Sequence, residues 1–444
     1  MPNLPPSLRI TPMDHALNST VRVPGSKSLT NRALLIASLA NGTTHLTNAL
    51  FSDDSRYFAK ALQTLGFDLQ LDEANYSMTV TGLGGKIPAK KAELFIGNAG
   101  TAARFLSSFL TLGNGEYILD GEPRMRERPI GDLVEALAQL GCNIRAMQNV
   151  EGGIQNGQIC PPIKISASGL KGGKAKIAGD ISSQFLSALL MTAPYARSPI
   201  EVELTTDLNS KPYVDMTIAI MKEFGVEIER QGYEKFIVHP SSFFPLSSYA
   251  IESDASAASY FFAAPAICGG TVKVENISRK SVQGDIAFLD VLKQIGCEVE
   301  EANNSITVYG PQGSSIVGVD VDMRDIPDTA QTLAAIAPFA SSPTRIRGIA
   351  SARVKETDRV SATCTELKRL GVEVEEHEDG MTIHPCKTFK PANIQTYNDH
   401  RMAMAFSLVG LRFDGVTIEN PSCVSKTFPN FFEVLEKLRT QGNK

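Results

Sequence analysis

Hydrophobic and polar positions along this chain follow a pattern that recurs from one end to the other. Amphipathic runs end in an apolar residue followed by glycine, and an alternating apolar–polar segment comes next. Glycine is favoured just past a helix C-terminus because it adopts positive φ without strain, and strict alternation is typical of a half-buried strand. The pattern predicts helix ends at residues 62–66, 137–141, 221–225, 292–296 and 367–371, a further helix at 434–438, and strands at 226–229 and 372–375.

A second class of helix is predicted between these copies. Each begins at a polar turn that holds capping residues and continues as an Ala-, Leu- and Phe-rich run, which is typical of a buried helix. The six openings lie at residues 25–28, 97–101, 179–184, 253–256, 326–329 and 397–401. Together the two classes predict six α/β units of about 70–75 residues, each a small subdomain and longer than a solenoid repeat. The units divide into three and three near the Pro- and Ser-rich stretch 239–248.

Length and composition place the chain among globular proteins with more than one domain. Its 444 residues are too many for one core, and 43% hydrophobic with 20% charged residues excludes a disordered chain. No apolar run approaches the roughly 20 residues of a membrane span, and the N-terminus lacks the apolar core of a signal peptide. We therefore expect a cytoplasmic protein that does not associate with membranes.

Cysteine, histidine and net charge narrow the classes of ligand. The seven cysteines and six histidines have no spacing that indicates a disulfide framework or a metal site. A formal net charge of -5 argues against nucleic acid, although a local cluster of Arg and Lys can still bind a small anion. Residues 25–28 lack the P-loop spacing, and the glycine-rich stretches lack the dinucleotide fingerprint. We expect no metal, no cofactor and a monomer.

The first helix opening combines groups that suit an anion. Ser26, Lys27 and Ser28 occupy the first turn, and Arg32 follows one turn later. Backbone N–H groups at a helix N-terminus add to the attraction. An N-capped surface helix with solvated basic residues explains this stretch alone equally well.

Two other helix openings carry more than a cap requires. The turn from Asn98 leads to Arg104 one turn into its helix, and Ser182, Ser183 and Gln184 place three neutral hydrogen-bonding side chains together. Hydroxyl and amide groups in such a cluster suit a phosphate or a sugar-like hydroxyl. Asp254 and Asp399, by contrast, are interpreted as simple caps.

Two basic segments each allow two interpretations. Residues 123–129 place three arginines in a Pro-bounded loop, which is either solvated or an Arg fork for a carboxylate or phosphate. Residues 353–359 alternate in charge, as in a surface ladder of ion pairs. If this segment is helical, Lys355 and Arg359 share a face while Glu356 and Asp358 point elsewhere, and a bound anion would relieve the repulsion between the two cations.

The combination of these segments is specific. In order, and over nearly the whole chain, they closely resemble the 5-enolpyruvylshikimate-3-phosphate synthase family at residues 24–32, 94–104, 121–130, 179–193, 210–213, 326–329, 353–359, 397–404 and 425–429. The resemblance implies an α/β fold of two globular domains, each built from three βαβαββ units, an inside-out α/β barrel known as the enolpyruvyl transferase fold. The first domain would hold residues 25–252, and the second residues 1–24 with 253–444. The two domains are expected to close over the ligands.

The same resemblance implies a reaction and its residues. Such enzymes of the shikimate pathway, which are targets of glyphosate, transfer the enolpyruvyl group of phosphoenolpyruvate to the 5-hydroxyl of shikimate 3-phosphate and release phosphate. The residues implied to bind shikimate 3-phosphate are Lys27, Ser28, Arg32, Ser182, Ser183, Gln184, Ser210, Tyr213, Asp328 and Lys355. Those implied to bind phosphoenolpyruvate are Lys27, Asn98, Gly100, Thr101, Arg128, Gln184, Arg359, Arg401 and Lys426. Asp328 is implied as the base for the 5-hydroxyl, and Glu356 with Lys27 as the source of the proton for the methylene carbon.

Two alternatives remain open at this point. The related UDP-N-acetylglucosamine enolpyruvyl transferase shares fold and donor, but it carries a reactive cysteine where residues 124–128 have arginines and no cysteine. A non-catalytic anion-binding protein on the same repeat would not need Asp328 and Glu356 together with Lys27. Ser351 departs from the family, which often has Asn there. Ala103 and Phe105 replace the common Met and Pro around Arg104 and leave glyphosate sensitivity open, whereas the retained Gly100 favours it.

Overall fold

A computed structural model describes residues 4–147, 151–155, 157–313 and 315–441 of the chain. These residues form two compact units. We call residues 25–251 the continuous domain, and residues 4–24 with 252–441 the split domain, because the second is assembled from both ends of the chain.

The α-helices begin and end close to the predicted positions. They are α1 (Lys27–Leu39), α2 (Asp53–Thr64), α3 (Gly100–Leu110), α4 (Gly131–Gln139), α5 (Ser183–Thr192), α6 (Lys211–Glu223), α7 (Ala255–Cys268), α8 (Phe288–Gln294), α9 (Ala330–Ile336), α10 (Arg359–Arg369), α11 (His400–Arg412) and α12 (Phe431–Gln441).

The strands complete the repeating pattern. They are β1 (Ser7–Arg9), β2 (Leu17–Arg22), β3 (Asn41–Thr47), β4 (Asp68–Asp72), β5 (Ser77–Leu83), β6 (Lys91–Phe95), β7 (Asn114–Asp120), β8 (Asn143–Ala146), β9 (Ile154–Gln155), β10 (Gln158–Ile159), β11 (Ile163–Ser168), β12 (Gly173–Ile177), β13 (Ile200–Leu204), β14 (Glu229–Gln231), β15 (Lys235–Val238), β16 (Tyr249–Ala250), β17 (Gly270–Glu275), β18 (Glu298–Ala302), β19 (Ser305–Tyr309), β20 (Asp320–Asp322), β21 (Thr344–Arg347), β22 (Val374–His377), β23 (Gly380–Ile383), β24 (Ala392–Ile394) and β25 (Val416–Glu419).

The sheets repeat one topology in both domains. In the continuous domain the strand orders are β16-β3-β5-β4, β6-β7-β11-β8 and β12-β13-β15-β14, and in the split domain they are β2-β17-β19-β18, β20-β21-β23-β22 and β24-β25-β1. Each of these six sheets begins with a parallel pair and continues with antiparallel pairs, whereas β9 and β10 form a separate antiparallel pair. Parallel pairing requires a crossover, which a helix provides in the units whose paired strands are consecutive. The predicted repetition of α/β units is thereby confirmed.

Two strands lie where the chain passes between the domains, and each pairs within its own domain. β2 belongs to the split domain and pairs with β17, although the next helix along the chain is α1 of the continuous domain. β16 belongs to the continuous domain and pairs with β3, although the next helix along the chain is α7 of the split domain. Each of these parallel pairs therefore joins strands that are far apart in the sequence.

The core of each domain consists of helices. α1, α3 and α5 are buried almost throughout in the continuous domain, as are α7, α9 and α11 in the split domain. Strands such as β2 alternate between buried and exposed residues, so one face of the sheet covers these helices and the other faces solvent. This arrangement places the N-terminal ends of the buried helices, which carry the polar turns, at the ends of the helix layer.

Five helices end with the same type of hydrogen bond, and because of it the strands that follow begin later than predicted. The N–H groups of Phe67, Cys142, Val226, Cys297 and Val372 each donate to the carbonyl five residues earlier, at 2.9–3.1 Å. The glycine before each has φ between 82° and 108°, which is the Schellman geometry. Because Val226 and Val372 close their helices in this way, strand pairing begins at Glu229 and Val374, and the predicted strand starts at 226 and 372 are wrong.

Candidate active site

The first turn of α1 is built as the sequence predicts. Ser26 is the N-cap, and its hydroxyl accepts a hydrogen bond from the Leu29 N–H at 3.4 Å. The ammonium group of Lys27 lies 3.5 Å from the Asp54 carboxylate, and both side chains are largely buried. Lys27 is therefore not the solvated surface cation of the alternative interpretation.

Arg32 is a buried cation held by neutral oxygen atoms. Its guanidinium group donates to the Thr217 hydroxyl at 2.7 Å and to the carbonyls of Ser28 and Tyr213, both at 3.0 Å. Within the described residues none of its hydrogen-bond partners is a carboxylate, and burial lowers the pKa of Arg32 to about 10. An anionic ligand would supply the charge that these contacts do not.

The turn before α3 and the loop after β7 form a second basic site. Arg128 is 5% exposed and donates from one nitrogen to the Asn98 carbonyl at 3.1 Å and to the Asn98 side-chain oxygen at 3.0 Å. Gly100 lies against the same guanidinium, since a Cβ added there would be 2.4 Å from its Nη2 atom. The Gln184 side-chain amide donates to the Thr101 hydroxyl at 3.3 Å. Asn98, Gly100, Thr101, Arg128 and Gln184 are thus brought together.

The other two arginines of this loop are surface residues. Arg124 pairs with Glu127 at 2.7 Å, and Arg126 forms two hydrogen bonds to the Asp120 carboxylate at 2.7 and 2.9 Å. Arg124 and Arg126 are thus half-buried and paired with carboxylates of the protein, whereas Arg128 is buried, and the Arg fork for an anionic ligand stays a prediction. Arg104 fixes the backbone around Arg128, because it donates to the carbonyls of Gly100 and Pro129.

Two further helix openings place hydroxyl groups in the continuous domain. Ser182 caps α5 and accepts from the Gln184 N–H at 3.3 Å, and the neighbouring Ser183 is buried. Ser210 precedes α6 in the left-handed conformation, with φ 58°. Tyr213 lies in the first turn of α6, and its carbonyl binds Arg32. The openings of α1 and α6 thus meet around the Arg32 guanidinium group, which also lies 3.5 Å from the hydroxyl of Ser187, in the second turn of α5.

The split domain holds two arginines among three carboxylates. Arg359 pairs with Asp399 at 2.7 Å, Glu356 at 2.8 Å and Asp328 at 3.0 Å. Arg401 pairs with the second oxygen of Asp328 at 2.7 Å and donates to the Asp328 carbonyl at 3.0 Å. Burial alone would lower the pKa of Arg359, but the three carboxylates outweigh it and raise that pKa. The Asp328 side chain is 19% exposed, whereas the two guanidinium groups are buried.

The helical interpretation of residues 353–359 is wrong. A 3-10 turn covers Ala350–Val354, Lys355 has an extended ψ of -148°, and α10 begins at Arg359 with Asp358 as its cap. Glu356 does not point away from the cations, because it pairs with Arg359 and lies 3.8 Å from the Lys426 ammonium group. Lys355 and Arg359 therefore do not share a helix face.

Comparison with known proteins identifies the family. The model of the family described as EPSP synthase (3-phosphoshikimate 1-carboxyvinyltransferase) matches residues 12–435. This chain belongs to the EPSP synthase family. The resemblance inferred from the sequence is thereby confirmed, and the chain is an enzyme of this family.

Relatives of this EPSP synthase family member match it from end to end. A 3-phosphoshikimate 1-carboxyvinyltransferase of Sulfurovum sp. is 50% identical over 97% of this chain and 99% of its own length. The enzyme of the same name from Nostoc punctiforme is 47% identical over 97% of this chain and 100% of its own length. These matches do not favour the UDP-N-acetylglucosamine enolpyruvyl transferase alternative.

Solved structures confirm the fold class. EPSP synthase from Acinetobacter baumannii superposes with a TM-score of 0.79 at 26% identity, covering 97% of this chain and 98% of that one. The enolpyruvyl transferase NikO from Streptomyces tendae gives a TM-score of 0.77 at 17% identity, with 97% of both chains covered, and is similar in fold. The expected enolpyruvyl transferase fold of repeated α/β units is confirmed.

Two residues of this EPSP synthase family site do more than the sequence indicated. Asp399 was interpreted as a cap, and it does accept from the Arg401 N–H at 2.9 Å, but it also holds Arg359. Tyr260 is buried on α7, and its hydroxyl lies 3.5 Å from Arg401. The sequence around Asp399 is typical of a helix cap, and that around Tyr260 is typical of a buried apolar helix. Their contacts with Arg359 and Arg401 depend on which helices pack together, and the local sequence does not indicate that.

The described ranges contain neither a metal-binding cluster nor a membrane-spanning helix. Among residues 4–147, 151–155, 157–313 and 315–441, no group of three His, Cys, Asp or Glu side chains is arranged to hold a metal ion. In the same ranges, no helix has the length and apolar character needed to cross a membrane.

Proposed function

We propose that this enzyme transfers the 1-carboxyvinyl group of phosphoenolpyruvate to the 5-hydroxyl of shikimate 3-phosphate. The oxygen of that hydroxyl bonds to C2 of phosphoenolpyruvate while a proton is added to the methylene carbon C3. The tetrahedral intermediate then loses phosphate from C2 and a proton from C3, which leaves 5-enolpyruvylshikimate 3-phosphate. The observation that carries the proposal is Asp328, a partly exposed carboxylate placed between two buried arginines beside a second acid, Glu356.

The residues proposed for shikimate 3-phosphate match its two charged groups. Arg32 with Ser28 would bind the carboxylate, and the neutral surroundings of Arg32 support this role because a buried cation gains most from an ionised acceptor. The hydroxyls of Ser182, Ser183 and Ser210 with Lys355 would bind the phosphate. Lys27, Gln184, Tyr213 and Asp328 complete the proposed set.

The residues proposed for phosphoenolpyruvate are largely cationic. Arg128, Arg359 and Arg401 suit the phosphate and carboxylate groups because a guanidinium group binds either in two-point geometry. Their burial supports the proposal, since electrostatic attraction is stronger away from water. The proposed set is Lys27, Asn98, Gly100, Thr101, Arg128, Gln184, Arg359, Arg401 and Lys426.

Acid and base roles follow from the carboxylates of the split domain. Asp328 is proposed as the base for the 5-hydroxyl, because both its oxygens are held by arginines while part of its surface stays open to a ligand. Glu356 and Lys27 are proposed as the source of the proton for C3. Each has a partner of opposite charge, with Lys426 at 3.8 Å from Glu356 and Asp54 at 3.5 Å from Lys27.

The remaining parts of the proposal concern partners and place. We propose that the enzyme acts as a cytoplasmic monomer on these two small molecules, without a cofactor, nucleic acid or membrane, and that it is a glyphosate target. The many basic side chains supply the charge that binds phosphates, and the net charge of -5 disfavours a polyanion partner.

An assay of phosphate release tests the reaction. Phosphate is expected from phosphoenolpyruvate only when shikimate 3-phosphate is added, in buffer without metal or nucleotide. Release with UDP-N-acetylglucosamine in its place would support the related transferase, and no release with either acceptor would overturn the proposal.

A substitution tests the base. In Asp328→Asn we expect turnover to fall by about 10²–10⁴-fold, the usual contribution of a general base, while both substrates still bind by calorimetry. Asp325→Asn, the same change at an exposed position three residues earlier, serves as the matched control. Retained turnover in Asp328→Asn would remove Asp328 from this role.

A further inference from the structure

A buried acid of the split domain has no part in the scheme above. Asp285 lies in the 3-10 turn Gly284–Ala287 before α8 and is 4% exposed. The residue before this turn, Gln283, fastens it to the start of α7: its side-chain oxygen accepts from the Ala255 N–H at 3.1 Å, and its amide donates to the Ser253 carbonyl at 2.7 Å. The position of Asp285 is therefore set by α7.

One face of α7 connects Asp285 with the ion pair of Asp328 and Arg401. The Ser256 hydroxyl donates a short hydrogen bond to the Asp285 carboxylate. Tyr260 lies one turn further along, where residues four apart share a helix face, and its hydroxyl contacts Arg401. Arg401 in turn binds both the side chain and the carbonyl of Asp328.

The charges around Asp285 come from several elements. Asp328, in the 3-10 turn before α9, and Asp254, the cap of α7, disfavour its ionised form, whereas Arg401 of α11 favours it. Arg279 lies on the other side and donates to the Ile286 carbonyl while pairing with Asp290. Burial, and after it the Asp328 carboxylate, raise the pKa of Asp285 to about 7. The charge of Asp285 is therefore linked to that of Asp328.

We propose that Asp285 is a positioning residue of the active site, which holds the Asp328–Arg401 pair in place through α7 and controls how strongly Asp328 attracts a proton. An ionised Asp285 favours protonation of Asp328, and a neutral Asp285 does not, because two neighbouring carboxylates resist sharing a site as two negative charges. The inference rests on the proposed function of Asp328 as the base.

The main test compares Asp285→Asn with the wild type from pH 5.5 to 9. The amide keeps the shape of the carboxyl group but cannot ionise. We expect kcat to fall about tenfold, KM for both substrates to change less than about twofold, and the change in kcat that accompanies ionisation of Asp285 near pH 7 to be lost because the amide cannot ionise. Asp290→Asn, the same change on the adjoining helix, is expected to leave the profile unchanged.

Two further measurements keep the proposal falsifiable. Ser256→Ala retains the Asp285 carboxyl group and removes only the donor that favours its ionised form, so kcat should fall and the change in kcat near pH 7 should move to higher pH. Unfolding by urea gives a second readout, which does not depend on activity. In the folded state Asp285 keeps its proton up to about pH 7, because its pKa is raised from the ordinary value of 3.8. This stabilisation is present below pH 3.8 and is lost as the pH rises through 7, and Asp285→Asn should lose that pH dependence.

The outcomes separate this inference from the proposed function. Wild-type kcat and pH profile in both Asp285→Asn and Ser256→Ala would overturn the inference while leaving the Asp328 assignment intact. Full turnover in Asp328→Asn would instead overturn the base assignment, whatever Asp285 does. If Asp285→Asn fails to fold, the profile of Ser256→Ala decides, and an unshifted profile there would overturn the inference.

Discussion

The buried arginines of the candidate site have two different kinds of surroundings. Arg32 is surrounded by hydroxyl and carbonyl oxygens, whereas Arg359 and Arg401 are paired with carboxylates. A buried cation without an ionised partner is costly to keep, and the lowered pKa of Arg32 reflects that cost. Arg32 therefore gains most from a bound anion, while Arg359 and Arg401 have their charge balanced by the protein and can orient Asp328.

Gly100 offers a test of the arginine in the other basic site. A methyl group added there would lie 2.4 Å from the Arg128 Nη2 atom, so the guanidinium group would have to move. In Gly100→Ala we expect KM for phosphoenolpyruvate to rise about tenfold, as for weakening one charge-assisted hydrogen bond. KM for shikimate 3-phosphate should change less than about twofold. Both constants follow from steady-state phosphate release.

Gly131→Ala is the matched control for this substitution. Gly131 is also the first residue of a helix, but a methyl group there would come no closer than 3.6 Å to any neighbour. Both constants should stay near wild type. An unchanged KM for phosphoenolpyruvate in Gly100→Ala would contradict the placement of Arg128 in that site.

At the scale of helices and strands, local patterns could be read from the sequence and non-local ones could not. The helix ends at glycine and the polar helix openings depend on neighbouring residues, so they were predictable. The extended backbone at Lys355 has no local signal. Arg126 and Arg128 occupy one loop, but their roles differ because one meets Asp120 and the other Asn98, which the fold alone brings near. The pairing of β2 with β17 and of β16 with β3 is non-local in the same sense.

The contact between α1 and β5 can be tested at Gly82. A Cβ there would lie 2.1 Å from the Ala37 carbonyl oxygen and 2.3 Å from that of Ala40, both in the backbone at the end of α1. Backbone atoms cannot turn aside as a side chain can, so Gly82→Ala should lower the free energy of unfolding by about 2–4 kcal/mol. Urea unfolding followed by circular dichroism measures the change.

Thr81→Ala, on the preceding position of β5, is the control for Gly82. Its hydroxyl makes only an exposed contact with Thr43 at 3.4 Å. We expect its free energy of unfolding to change by less than about 1 kcal/mol. Equal values for the two variants would show that α1 can move away from the sheet at little cost.

At the scale of the whole molecule, each domain has its own core and its chain ends close together. Buried apolar residues form one cluster within residues 25–251 and another within the split domain. In the continuous domain, Gly25 packs against the Asn48 carbonyl, and the Asn48 side chain donates to the Ile251 carbonyl at 2.8 Å. In the split domain, the Asp254 N–H donates to the Pro24 carbonyl at 2.9 Å.

These features predict that residues 25–251 fold without the rest of the chain. The two ends of this fragment, Gly25 and Ile251, both lie against Asn48. The fragment also keeps β16 as the parallel partner of β3. We expect a cooperative urea transition and a near-ultraviolet dichroism signal, with no transfer activity because Asp328 and Glu356 are absent. A fragment of residues 25–248 lacks β16 and Ile251, so its β3 edge is unpaired and its transition should occur at lower urea concentration. A 25–251 fragment with only a broad, non-cooperative transition would mean that its core depends on the split domain.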